Sequence, residues 1–193
     1  TQWPLPGMAA ADRFGVRLSI GLEEPADLIA DGCDAGPHSI AALLAHADGA
    51  VAALERQSPD DSLEAIVEAS VLLSGLCFEN GGLSVAHSMT RGLSALPGTA
   101  RELHGLQVAY GTMVQWHLEN RPPPFMADMR AFYRRIGLPL NLQQLGLPRT
   151  PTDVDIDTLA TLTLTAPHMR NFDRVLKVQD LAQAIQALEA APL

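Results

Sequence analysis

The stretch Pro122-Pro123-Pro124-Phe125-Met126-Ala127-Asp128-Met129-Arg130-Ala131-Phe132-Tyr133-Arg134-Arg135-Ile136-Gly137 reads as one helix with marked ends. Phe125, Met126, Met129, Phe132, Tyr133 and Ile136 recur at spacings of three and four, which places them on one helical face. The prolines stop whatever precedes, and Gly137 supplies the left-handed residue with which helices commonly end. The same punctuation recurs in both directions along the chain, so helix packed on helix is the expected fold.

Upstream, Arg101–Glu119 reads as a helix ended by the prolines, and Leu83–Leu96 as another ended by Pro97-Gly98. Asn80-Gly81-Gly82 breaks the chain before them. Ser58-Pro59-Asp60-Asp61 is a helix start, with Ser58 as cap, Pro59 at the first helical position and two carboxylates at the positive end of the dipole. The helix that follows, to about Cys77, is apolar on most sides through Leu63, Ile66, Val67, Val71, Leu72, Leu73 and Leu76. A helix apolar all round is expected to be buried, which makes this the central one. Pro37–Gln57 and Met8 to about Leu22 read as further helices, with a loop expected over Glu23–Gly36. Residues 1–7 read as a linker. Downstream, Gly-Leu-Pro turns at Gly137 and Gly146 bracket a short helical piece, and Thr152–Thr165 and Val178–Ala190 close the series. No Val and Thr stretch alternates long enough to predict a strand.

The 193 residues fit one domain, 47% apolar and only 5% aromatic, which favours helical packing over a β-sandwich. A net charge of -9 repels phosphate backbones, so nucleic acid is excluded as an expected partner. Cys33 and Cys77 form no CxxC pattern and suit a reducing, cytoplasmic compartment. No apolar run reaches membrane-spanning length, and neither GxGxxG nor GxxxxGK[ST] occurs. A dinucleotide-binding unit is therefore not expected within this sequence.

Of six histidines, His38, His46, His117 and His168 read as ordinary surface or core residues. His87 and His104 sit among small and apolar residues, in Ser84-Val85-Ala86-His87 and His104-Gly105-Leu106. Their helices are joined by a short turn and should be packed neighbours. Two inward imidazoles on such helices can meet at one metal ion. A separation of this length does not itself fix a site, and a pair that only packs or hydrogen-bonds is the alternative.

The run Glu79-Asn80-Gly81-Gly82-Leu83-Ser84-Val85-Ala86-His87, then Gly92-Leu93-Ser94-Ala95-Leu96, then His104-Gly105-Leu106-Gln107-Val108-Ala109-Tyr110-Gly111-Thr112-Met113-Val114-Gln115 resembles the glycerol dehydrogenases. These belong to the iron-containing alcohol dehydrogenase group of the dehydroquinate synthase-like superfamily. Val67-Glu68-Ala69-Ser70-Val71-Leu72-Leu73-Ser74-Gly75 and Gly137-Leu138-Pro139-Leu140 fit in order. The resemblance runs from about Leu63 to Leu147 and implies that residues 1–193 are a single all-α, bundle-like C-terminal metal- and substrate-binding domain. It implies zinc or iron held by His87 and His104 with an aspartate, a cleft beside Phe78, and NAD bound by an N-terminal domain absent from this sequence. Glu79, next to Phe78, reads as an acid of the substrate cleft, with a helix-capping or loop carboxylate as the alternative. The metal of that family acts as a Lewis acid on the substrate hydroxyl, favouring hydride loss to nicotinamide.

One departure bears on the metal. The family's aspartate follows a glycine and two small or apolar residues, and here Gly7-Met8-Ala9-Ala10 puts Ala10 at that position. Asp12 is the nearest acid, but two helical residues turn a side chain by about 200°, so Asp12 serves as third ligand only after a register shift. The expected function is the metal- and substrate-binding part of an NAD-dependent glycerol or polyol dehydrogenase, acting on a small alcohol in a homo-oligomer. The alternatives are a non-catalytic helical scaffold or oligomerisation domain, and a metal-independent enzyme with a new reaction in the old cleft.

Overall fold

The computed structural model describes residues 35–73, 75, 76, 79 and 82–192. Among the described residues every regular element is helical, as the spacing of apolar residues requires. The order is α1 Ala35–Glu55, α2 Asp61–Glu68 running into a π turn Ala69–Leu73, α3 Val85–Leu93, α4 His104–Leu118, α5 Pro123–Ile136, α6 Asp153–Leu164 and α7 Val178–Ala190. Short 3-10 turns lie at Thr99–Arg101 and Pro167–Asn171. The expected helix Met8–Leu22, the linker and both cysteines lie outside the described residues.

The start of α2 differs from expectation. Its cap is Asp60, whose carboxylate accepts from the Leu63 N–H at 3.1 Å, and not Ser58. Ser58 instead finishes α1. Its N–H bonds to Ala53 O at 3.0 Å while the Gln57 N–H reaches Leu54 O at 3.1 Å, with Gln57 left-handed at φ 53. That pair of bonds is the Schellman pattern, which consumes Ser58 before α2 begins.

The central helix is also not the one expected. In α2 and its π turn only Ile66 and Ala69 are buried, and Val67, Val71, Leu72 and Leu76 are 48, 70, 52 and 48% exposed. Packing against α1 covers one side of this helix, and the wider π turn rephases the residues beyond it. Among the described residues the central helix is α4, buried on every side from Gln107 to Trp116. It packs on α3 and α7, while α6 packs on both of those. The stripe of α5 reaches α4 through Trp116, whose ring meets Phe125 edge-on at 5.1 Å and Tyr133 at 6.2 Å. Tyr133 donates its hydroxyl to Ala109 O at 3.1 Å.

The remaining boundaries follow local chemistry. Gly137 ends α5 at φ 78. Between Gly137 and Gly146 the expected helical piece is a single turn, with Leu145 N–H on Asn141 O at 3.1 Å, pinned by buried Leu140, Leu142 and Leu145. Thr152 and Asp155 form a reciprocal capping box on α6. Among the described residues no helix is long and apolar enough to cross a membrane.

Candidate metal centre

His87 stands in the first turn of α3 and His104 is the first residue of α4. The first turn of a helix carries N–H groups with no partner in the helix itself. Ser84, which precedes α3, supplies no side-chain cap. The Ala86 N–H is instead met from the neighbouring helix, where Gln115 Oε1 accepts it at 3.0 Å. Asn171 Nδ2 donates to Leu83 O at 2.8 Å and fixes the chain just before the helix. At the other side of His87, Thr90 donates its hydroxyl to the His87 carbonyl at 2.7 Å.

The two helices come close because Gly111 faces Ala86. A Cβ built on Gly111 would stand 2.5 Å from Ala86 O and 3.0 Å from its Cα. Gly111 and Gln115 lie seven and eleven residues beyond His104, within about 20° of it around the helix, so one face of α4 carries all three. The connection between the helices is tied at both ends. Thr99 donates to Leu93 O at 2.6 Å, and Gln107 Nε2 donates to Thr99 O at 2.8 Å.

These constraints bring His87 and His104 together, with ring centroids 5.5 Å apart and planes tilted by 55°. His87 is half-buried and His104 is exposed. Zinc lies about 2.0–2.1 Å from an imidazole nitrogen, which sets two rings on a near-tetrahedral ion with centroids about 5–5.5 Å apart. Among the described residues no third His, Cys, Asp or Glu joins the pair. Asp12, Ala10 and Phe78 lie outside the described residues, and Glu79 is exposed. His46 and His117 take separate places. His46 Nδ1 lies 3.5 Å from Ser62 Oγ between α1 and α2. His117 is held below its ordinary pKa by burial and then by the Arg130 charge.

Gln115, Gly111 and Asn171 were not anticipated from the sequence. For the first two the available signal was the helical spacing from His104. Asn171 acts across 88 residues and left no local pattern.

A glycerol dehydrogenase from Schizosaccharomyces pombe is 36% identical over 132 residues, covering 67% of this chain and 29% of that protein. The glycerol dehydrogenase of Thermotoga maritima is 40% identical over 105 residues, 54% of this chain and 29% of its own length. The crystal structure of a probable glycerol dehydrogenase from Sinorhizobium meliloti superimposes with a TM-score of 0.84 at 28% identity, over 94% of this chain and 56% of that one. The chain is a homologue of the glycerol dehydrogenases. No family model matches it. It spans less than a third of the length of those two curated glycerol dehydrogenases and a little over half of the glycerol dehydrogenase crystal structure. What it shares with them is the all-α part.

Proposed function

We propose that the chain is the metal- and substrate-binding part of an NAD-dependent polyol dehydrogenase, one that oxidises a secondary alcohol such as a vicinal diol to a ketone. The observation that carries it is the placement of His87 and His104, 5.5 Å apart on two helices locked together by Gly111 and Gln115. Two imidazoles are donors that suit zinc and iron. Bound there, such an ion supplies a Lewis acid that polarises a hydroxyl oxygen. His87 and His104 hold it, and a carboxylate from the N-terminal segment, Asp12 after a register shift, completes three protein ligands. Phe78 and Glu79 border the cleft in which a small polyol is held. NAD is bound by a separate domain, and the working protein is a cytoplasmic homo-oligomer.

Ala10 favours a second reading. With alanine at the family's aspartate position, the same fold serves as a non-catalytic scaffold. Zinc titration by calorimetry, on the parent chain and on His87→Ala and His104→Ala, separates the two. The metal-binding proposal expects zinc to bind the parent and to be lost in both variants. Absence of binding in the parent, or binding unaffected by either substitution, leaves the scaffold as the better account.

A further inference from the structure

We propose that Gln115 is a positioning residue for His87, a cap supplied by one helix to the first turn of the next. This deepens the metal reading above and rests on it for its consequence, though not for its geometry. The Ala86 amide is an N-terminal helix donor, wholly buried, in a helix whose own preceding serine gives no side-chain cap. A buried N–H without an acceptor is costly, and its usual relief is to fray the turn that carries it. Here that turn carries His87. Gln115, itself wholly buried, supplies the acceptor from 29 residues away.

The direction of the amide is fixed by its other end. Gln115 Nε2 donates to Glu119 Oε1 at 3.0 Å, and Glu119 Oε2 accepts from Arg121 Nε at 2.7 Å. A carboxylate attracts only the NH2 side of the carboxamide, so the carbonyl oxygen is turned towards Ala86. Arg121, Glu119, Gln115 and Ala86 thus form a chain of donors and acceptors that ends one residue before His87. Groups bonded directly to a ligating side chain typically alter metal affinity by about 10–100-fold when removed; Gln115 acts one residue further out, through the backbone that carries His87, which puts its effect at the lower end.

The test uses the full chain. Amide hydrogen exchange at Ala86 and the His87–His104 ring contacts are followed by NMR without metal, and zinc affinity by calorimetry. Gln115→Leu removes the bonds to Ala86 and Glu119 at similar size. The expected result is faster exchange at Ala86 with α6 and α7 unchanged, loss of ring contacts between His87 and His104, and zinc binding weakened about tenfold. Gln115→Glu alone keeps an acceptor but loses the Nε2 donor, and repulsion from the Glu119 carboxylate draws the new one off Ala86, so it should do the same. The exchanged pair Gln115→Glu with Glu119→Gln rebuilds the chain with reversed roles, and should restore both readouts. If Gln115→Leu does not fold, the comparison of Gln115→Glu with the exchanged pair decides. Unaltered Ala86 exchange, unaltered ring contacts, or failure of the exchanged pair to recover overturns the inference. So does intact zinc affinity with Ala86 freed. If the parent binds no zinc, the proposed function fails by itself, and the exchange and ring contacts still decide the role of Gln115.

Discussion

Gly111 lies against the backbone of Ala86, so close that a Cβ at this position would stand 2.5 Å from the Ala86 carbonyl oxygen. The contact is with backbone, which cannot swing aside as a side chain can. Gly111→Ala must push α4 away from α3, and overpacking of this kind costs about 1–3 kcal/mol. Chemical denaturation should show that loss, and the His87–His104 rings should separate. Unchanged stability would mean that the helices have room that the geometry denies.

Asp155 caps α6 under an opposite charge. Its carboxylate receives Arg149, with Arg149 Nη2 on Oδ1 at 3.0 Å, together with the hydroxyl and N–H of Thr152. The Arg149 bond first, and the Thr152 bonds next, hold its pKa well below the usual carboxylate range. A carboxylate with a lowered folded pKa adds stability above its unfolded value, and that stability is lost as pH falls through the folded one. Asp155→Asn should therefore melt lower than the parent at neutral pH, with the gap closing as the solution is acidified to about pH 2. A gap independent of pH would show that the ion pair carries no stability.

Glu189 behaves in the opposite sense. Burial raises its pKa, and the Leu142 N–H and the Tyr110 hydroxyl, both on Oε1 at 3.0 and 2.9 Å, offset only part of this. A raised folded pKa gives stability at low pH that is lost as pH rises through the folded value. Glu189→Gln keeps an Oε1 acceptor for both donors and removes the charge. Its melting temperature should match or exceed the parent's at pH 7, with the advantage gone at about pH 4. A large loss at pH 7 would contradict the assignment of burial as the dominant cost.

The third ligand is open to direct substitution. If Ala10 occupies the aspartate position, Ala10→Asp adds an anionic oxygen beside two neutral imidazoles and should tighten zinc binding in calorimetry. If Asp12 fills the place by a register shift, Asp12→Ala abolishes binding and Ala10→Asp adds little. No binding in the parent or in either variant removes the metal.

The sequence marked those elements whose ends are chemically self-contained. Thr152 and Asp155 cap α6 within four residues, Gly137 terminates α5, and α7 spans Val178–Ala190 as its pattern predicts. The helix from Asp61 is less buried than its sequence implies because apolar composition does not name a neighbour, and Val71 and Leu72 are exposed among the described residues. Ser58 and Asp60 are both good caps, and only the left-handed Gln57 decides between them. At the candidate site, the histidine pair came from residue type and family resemblance. Gln115 and Asn171 act across 29 and 88 residues, distances over which spacing along the chain carries no information.

The central claim is that His87 and His104 share one metal ion. X-ray absorption at the zinc edge, on the chain loaded with one equivalent of zinc, reads the ligands directly. The expected spectrum shows two imidazole nitrogens at about 2.0–2.1 Å, with light oxygen donors filling the remaining positions, and the imidazole signature is lost in His87→Ala. A spectrum with no imidazole scattering, with sulfur donors, or unchanged in His87→Ala would contradict it.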